Sequence, residues 1–181
     1  MILGMKTSTF TLLHVLISLV GIGSGFVVIY GLVTARRLNR WTALFLASTA
    51  ATSITGFLFP FEHVTPGIVI GVLSIMVLGV AVVARYNSHL KGAARVIYVI
   101  CASVTLYFNV FILVVQSFEK VAVLRALAPT QKEPPFALTQ LLVLAVFVAL
   151  TVMALRRFRP DSSMAGSSGG TSTSAHKERA A

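Results

Sequence analysis

Five stretches of the sequence contain no Asp, Glu, Lys or Arg, and each is about as long as a helix that crosses a lipid bilayer. Because an α-helix rises about 1.5 Å per residue, roughly 20 apolar residues span the hydrocarbon core. Strands of membrane β-barrels are shorter and alternate polar with apolar residues, and these stretches lack that alternation. We therefore predict an all-α polytopic membrane bundle of five transmembrane helices. The predicted spans are residues 10–33, 42–60, 66–84, 96–117 and 137–155.

The composition indicates the lipid bilayer as the main partner. Hydrophobic residues make up 56% of the chain and charged residues 11%, whereas soluble domains carry roughly 25% charged residues. The formal net charge of +10 is also found in nucleic-acid-binding proteins. Here, however, the basic residues form short clusters between apolar stretches, as membrane topology requires. Nucleic acid is therefore not a predicted partner, while other membrane proteins or a second copy of the chain remain candidates.

Lysine and arginine are distributed unevenly between the two sides of the predicted bundle. Eleven of the fifteen follow the first, third or fifth stretch. Since these residues accumulate on the cytoplasmic side of membrane helices, we predict the N-terminus outside and the C-terminus in the cytoplasm. The first stretch exceeds the apolar region of a signal peptide and is predicted to be a retained helix. The eleven residues are Arg36, Arg37, Arg40, Arg85, Lys91, Arg95, Arg156, Arg157, Arg159, Lys177 and Arg179.

The chain divides into a transmembrane domain, residues 1–159, and a tail, residues 160–181. The tail is rich in Ser, Gly and Thr and has little apolar surface to bury, so we predict a disordered cytoplasmic segment. On the outer side, residues 61–65 are predicted to form a tight hairpin. Residues 118–128 place apolar side chains at a spacing of three, which favours a short helix lying in the interface.

Polar side chains within the spans identify a candidate binding site. Such groups are costly in lipid and usually face the interior of a bundle. His14, Thr55, Asn109 and Gln116 lie in the outer part of three predicted helices, so we predict that they line one ligand-binding cavity open to the outside. Alternatively, they only join neighbouring helices by hydrogen bonds. Residues interpreted as marking close helix packing are Ser18, Gly21, Gly25, Ser48, Thr52 and Ser74.

A metal or haem site is an alternative hypothesis. The imidazoles of His14 and His63 are of the type that holds haem iron or a transition metal, with Glu62 as a third candidate ligand. Haem-binding bundles usually place both histidines on facing helices, whereas His63 lies in the predicted hairpin. The cofactor is therefore unknown, and haem or quinone is kept as an alternative.

Motifs for other chemistry are missing from the sequence. The predicted spans contain no carboxylate, so an intramembrane proton relay is not predicted. There is no HExxH zinc motif, Walker loop or GxSxG elbow. The single cysteine, Cys101, can form no internal disulfide. The sequence therefore favours a protein that is not an enzyme.

Several stretches carry a resemblance to a known group of proteins. They are TSITGFLFPF at 52–61, ARY at 84–86, LYFNVFILVVQSF at 106–118 and LAPTQKEPPF at 127–136. With these, the chain resembles a family of small bacterial polytopic inner-membrane proteins without assigned activity, over residues 10–160. The resemblance implies a multi-helix fold in the bacterial inner membrane. It implies no activity, cofactor or catalytic residue.

The favoured function is that of a non-enzymatic subunit, assembly factor or small-ligand binder with a polar site facing the periplasm. Gln131 and Glu133, in the loop before the last span, are predicted to contact a partner protein. The alternatives are a membrane redox protein that binds haem or quinone, and a small oligomeric transporter or channel.

Overall fold

The computed structural model describes residues 4–60 and 66–158. Of these residues 84% are helical and none forms a strand, which confirms the predicted all-α class. The helices are α1 (Thr7–Val33), α2 (Asn39–Phe57), α3 (Pro66–Val82), α4 (Ala93–Lys120), α5 (Ala122–Leu127) and α6 (Pro134–Arg157). A π-helical turn, Val83–Asn87, continues α3. The predicted tail lies outside the described residues.

Four of the helices are long and apolar enough to cross a membrane: Thr7–Val33, Gly67–Asn87, Ala93–Lys120 and Pro134–Arg157. They fit a multi-pass membrane protein. The remaining predicted span, residues 42–60, corresponds to α2, which has 19 residues but is less apolar. Its hydropathy is low because it begins with Asn39 and Arg40 and because hydroxyl residues recur along it. Several of these hydroxyl residues face the interior of the bundle. The buried hydroxyl residues of α2 are Thr42, Ser48, Thr49 and Ser53.

The short interfacial helix differs from its prediction. Phe118 and Glu119 continue α4, which ends at Lys120. Only residues Ala122–Leu127 form the separate helix α5, and none of them is buried. Val121 breaks the helix between the two with an extended backbone conformation.

Helices α1 to α4 form a closed ring in which each helix packs against two others. The packing pairs are α1 with α2, α2 with α3, α3 with α4 and α4 with α1. Helix α6 lies outside the ring, against α1 and α4. The ring follows from short connections, which place consecutive helices antiparallel and side by side.

Glycines on α1 permit its close approach to α2 and α4. A Cβ atom built on Gly21 would lie 3.3 Å from Ser48 Oγ, and one built on Gly25 would lie 2.5 Å from Leu106 Cδ1. Small residues allow membrane helices to approach in this way. The prediction that Gly21 and Gly25 mark close helix packing is therefore confirmed.

One end of the bundle carries most of the charge, and we call it the basic end. It contains the connections after α1 and after α3 and the last turn of α6. Arg85 joins two of these parts, because its Nη2 donates to Asn39 Oδ1 at 2.7 Å and its guanidinium lies 5.1 Å from the Tyr98 ring centroid. Tyr98, Val99 and Leu106 are fully buried and fill the ring in this half. The ring therefore has a solid core towards the basic end.

Arg95 ties the beginning of α4 to the end of α6. Its Nη1 donates hydrogen bonds to the carbonyl oxygens of Phe158 and Leu155, the latter at 3.2 Å. The last carbonyls of a helix lack intrahelical donors.

Replacing Arg95 by alanine should therefore lower the free energy of unfolding by about 2 kcal/mol, measured by denaturant titration in detergent. Exposed Arg156 at the same end provides the control, because Arg156→Ala should change stability by less than about 0.5 kcal/mol. Equal losses in both variants would contradict this role.

Candidate functional site

The half of the ring away from the basic end encloses a cavity of about 610 Å³. All four ring helices contribute to its walls. Most of the wall is apolar, and the polar side chains that line it are Thr11, His14, Ser18, Thr52, Ser53, Ser74, Asn109, Gln116, Ser117 and Lys120. A pocket of this size, mostly apolar with a few polar groups, is typical of a small-molecule site.

His14 is held in the cavity wall by Thr55. Its Nδ1 lies 2.8 Å from Thr55 Oγ1, and its ring meets the Phe59 ring edge to face, with centroids 5.3 Å apart. Thr55 does not line the cavity itself, so it positions His14 from behind. The interhelical hydrogen bond that we considered as the alternative for His14 is thus present together with exposure to the cavity.

Asn109 and Gln116 lie on the α4 wall at different depths. Asn109 is partly buried, and its Nδ2 donates to Thr49 Oγ1 on α2 at 3.1 Å. Gln116 is exposed and lies one helical turn before Lys120, which also lines the cavity. Of the four residues predicted to bind a ligand, three line the same cavity, namely His14, Asn109 and Gln116. The fourth, Thr55, hydrogen-bonds to His14. Ligand binding by these residues stays a prediction.

Three polar residues interpreted from the sequence as marking helix packing, Ser18, Thr52 and Ser74, also line the cavity. Thr52 Oγ1 and Ser74 Oγ are buried and have no hydrogen-bond partner among the described residues. Hydroxyl groups on membrane helices commonly donate to the backbone carbonyl oxygen four residues earlier. The Ser18 hydroxyl donates in this way to the carbonyl oxygen of His14 at 2.8 Å. Leaving a buried hydroxyl unpaired costs roughly 1–3 kcal/mol. No sequence signal separates Ser74 from a packing serine, because the difference depends on the neighbouring helix.

The loop between α5 and α6 contains the predicted partner-contact residues, Gln131 and Glu133. Gln131, with a φ of 57°, donates through Nε2 to the Val115 carbonyl oxygen of α4 at 3.2 Å. The Glu133 carboxylate accepts hydrogen bonds from the Thr130 N–H at 3.1 Å, the Thr130 hydroxyl at 2.9 Å and the Lys132 N–H at 3.0 Å. Both side chains therefore hold this loop in place on their own chain. Contact with a partner stays a prediction.

Hydrogen bonding lowers the pKa of the Glu133 carboxyl below its ordinary value near 4.5. Desolvation acts in the opposite direction, but hydrogen bonds from the Glu133 backbone, from Thr130 and from the Lys132 backbone favour the ionised form. The stabilisation is therefore complete above the ordinary carboxyl pKa and is lost as the pH falls through the lowered pKa of the folded state.

The same carboxylate gives a testable prediction for the loop. Glutamine has one acceptor oxygen in place of two, so Glu133→Gln should speed hydrogen exchange at the Thr130 and Lys132 amides several-fold at neutral pH. When rates are expressed as protection factors relative to intrinsic exchange at the same pH, the wild type should lose the same protection only in acid. Glu119→Gln, at an exposed position in the last turn of α4, is the control and should leave these amides unchanged. Unaltered exchange in Glu133→Gln would show that the carboxylate does not hold the loop.

The metal or haem hypothesis concerns residues of which only His14 is described. Glu62 and His63 lie outside the described residues. Within residues 4–60 and 66–158, no three His, Cys, Asp or Glu side chains are grouped closely enough to hold a metal ion. The proposed ligand set of His14, His63 and Glu62 stays a prediction, which an absorption spectrum of the purified protein tests directly.

Comparisons with known proteins place no family name on this architecture. No protein-family model matches the sequence, and neither a curated protein nor a solved structure is significantly similar to the chain. The functional assignment therefore rests on the geometry of the cavity.

Proposed function

We propose that this protein is a non-enzymatic, five-span membrane protein that binds a small amphipathic ligand in the cavity enclosed by helices α1 to α4. The observation that carries the proposal is the cavity itself, whose mostly apolar walls contain the polar side chains of His14, Asn109 and Gln116. Apolar walls favour the tail of an amphipathic molecule, and the few polar groups orient its head. The cavity thus favours the hypothesis of a ligand-binding protein over the hypotheses of a subunit or an assembly factor.

The course of the chain supports α2 as a transmembrane helix in addition to the four most apolar ones. Both α1 and the π-helical end of α3 reach the basic end, where Arg85 contacts Asn39. The chain between them must therefore return across the bundle, and α2 is the helix that does so. Its 19 residues give a length of about 28 Å, close to the thickness of a hydrocarbon core. Hydroxyl groups that lower its hydropathy face other helices and not lipid.

We propose that the basic end faces the cytoplasm of a bacterial cell and that the cavity opens towards the periplasm. The positive-inside rule and the resemblance to bacterial inner-membrane proteins support this orientation. Single-cysteine variants made on a Cys101→Ala background test it. Lys91→Cys should react with a membrane-impermeant maleimide only in inverted vesicles, and Lys132→Cys only in intact spheroplasts. The reverse pattern would place the cavity on the cytoplasmic side.

Ligand binding is tested with tritiated dodecylphenol, an amphipathic probe with a single-ring head. The protein in lipid nanodiscs should bind it saturably, at about one molecule per chain. Empty nanodiscs of the same lipid composition provide the control for partitioning into the bilayer. Binding that increases linearly with probe concentration, as in empty nanodiscs, would contradict the proposed function.

A further inference from the structure

The hydrogen bonds around His14 determine which ring nitrogen carries its proton. Thr55 Oγ1 lies 2.7 Å from the Ala51 carbonyl oxygen and 3.1 Å from that of Thr52. Carbonyl oxygens only accept, and the single hydroxyl proton of Thr55 is donated to them, as is common for threonine in helices. Oγ1 can then only accept from His14 Nδ1, 2.8 Å away. The network therefore assigns the proton of the neutral imidazole to Nδ1.

With Nδ1 protonated, Nε2 of the neutral ring is a hydrogen-bond acceptor. No described residue donates to it, and His14 lies in the cavity wall. The cavity therefore offers one acceptor that only a donor can satisfy.

Resting on the proposed function, we propose that the natural ligand is a hydroxyl-bearing lipid whose hydroxyl donates to His14 Nε2. An ether, an ester or an oxidised quinone presents acceptors alone and leaves Nε2 unpaired. Among quinone lipids, the cavity accordingly favours the reduced hydroquinone over the oxidised form.

A matched pair of probes tests this donor requirement. Dodecylphenol and its methyl ether have nearly the same shape, but the ether lacks the hydroxyl donor. The wild-type protein in nanodiscs should bind the phenol about tenfold more tightly, because the ether leaves a buried acceptor unpaired. Affinities are corrected for the partitioning of each probe into empty nanodiscs. Equal affinities would overturn the donor requirement and leave the cavity as a ligand site, whereas failure of both probes to bind would overturn the proposed function too.

Variants of Thr55 test whether the tautomer sets the preference. Thr55→Val removes the acceptor for Nδ1–H and allows the proton to move to Nε2, so the phenol-to-ether ratio should fall towards one. Thr55→Ser keeps the hydroxyl and should keep the tenfold ratio. A ratio that stays at its wild-type value in Thr55→Val would overturn the assignment of selectivity to the Thr55–His14 pair.

A spectroscopic measurement on the unaltered side chains covers the case in which Thr55→Val does not fold. Nitrogen-15 NMR of protein with labelled histidines distinguishes a protonated ring nitrogen from a bare one. The chain has four histidines, and the signal missing in His14→Gln identifies His14. A proton on Nδ1 with a bare Nε2 is the expected result. A proton on Nε2 would overturn the inference.

Discussion

Replacing Ser74 by phenylalanine should weaken the binding of dodecylphenol about 100-fold, a loss of about 2.7 kcal/mol. Ser74 is 3% exposed and lines the cavity from α3. The new ring fills part of the space that the ligand needs and therefore excludes the ligand sterically. Equilibrium binding of the tritiated probe in nanodiscs measures the effect.

A second phenylalanine on α3 serves as the matched control. Met76 is 57% exposed on the outer surface of the same helix, so Met76→Phe adds a ring that faces lipid and should leave the affinity within about twofold. Both variants should elute as the wild type does in size-exclusion chromatography. Equal binding by Ser74→Phe and the wild type would mean that the ligand does not occupy this cavity.

Replacing Gly25 by leucine should lower the free energy of unfolding by at least about 3 kcal/mol, or prevent folding. A Cβ atom at this position would lie 2.5 Å from Leu106 Cδ1 and 2.9 Å from Phe45 Cε2. Leu106 and Phe45 are themselves fully buried and cannot move into free space. A leucine must therefore push α1 away from α2 and α4. Unfolding of the detergent-solubilised protein, followed by circular dichroism, measures the loss.

Gly23 provides the control two residues away on the same helix. Nothing lies within 4 Å of a Cβ atom built on Gly23, so Gly23→Leu adds the same side chain without a clash and should leave the protein as stable or slightly more stable. Similar instability in Gly23→Leu would mean that α1 tolerates no large residue for a reason other than its contact with Leu106.

The four most apolar helices are predictable from the sequence because lipid requires long uncharged stretches. The status of α2 is harder to predict, since hydropathy counts its hydroxyl groups as if they faced lipid. In the structure Thr49 is fully buried and accepts a hydrogen bond from Asn109. The sequence alone does not show which face of a helix is covered by its neighbours.

The cavity, too, is only partly predictable from the sequence. The depth of a residue along its helix can be predicted, but the packing of its side chain cannot. Depth along the helices brought His14, Asn109 and Gln116 to one end of the bundle, and they do line one cavity. The separate roles of Thr55 and Ser74 depend on helix rotation, which places one behind His14 and leaves the other unpaired. Likewise, the intramolecular bonds of the loop before α6 depend on how that loop folds back onto α4.

The uneven filling of the ring bears on the idea of a channel or transporter. One helical turn beyond the cavity-lining Ile22, the interior is plugged at Gly25 by Leu106 and Phe45. Within residues 4–60 and 66–158, the cavity is thus closed at its inner end by apolar side chains. A solute that enters must leave by the route it came, unless α1 separates from α2 and α4. Such a shape suits capture and release on a single face of the membrane, and conduction would demand a second conformation in which those tightly packed side chains part.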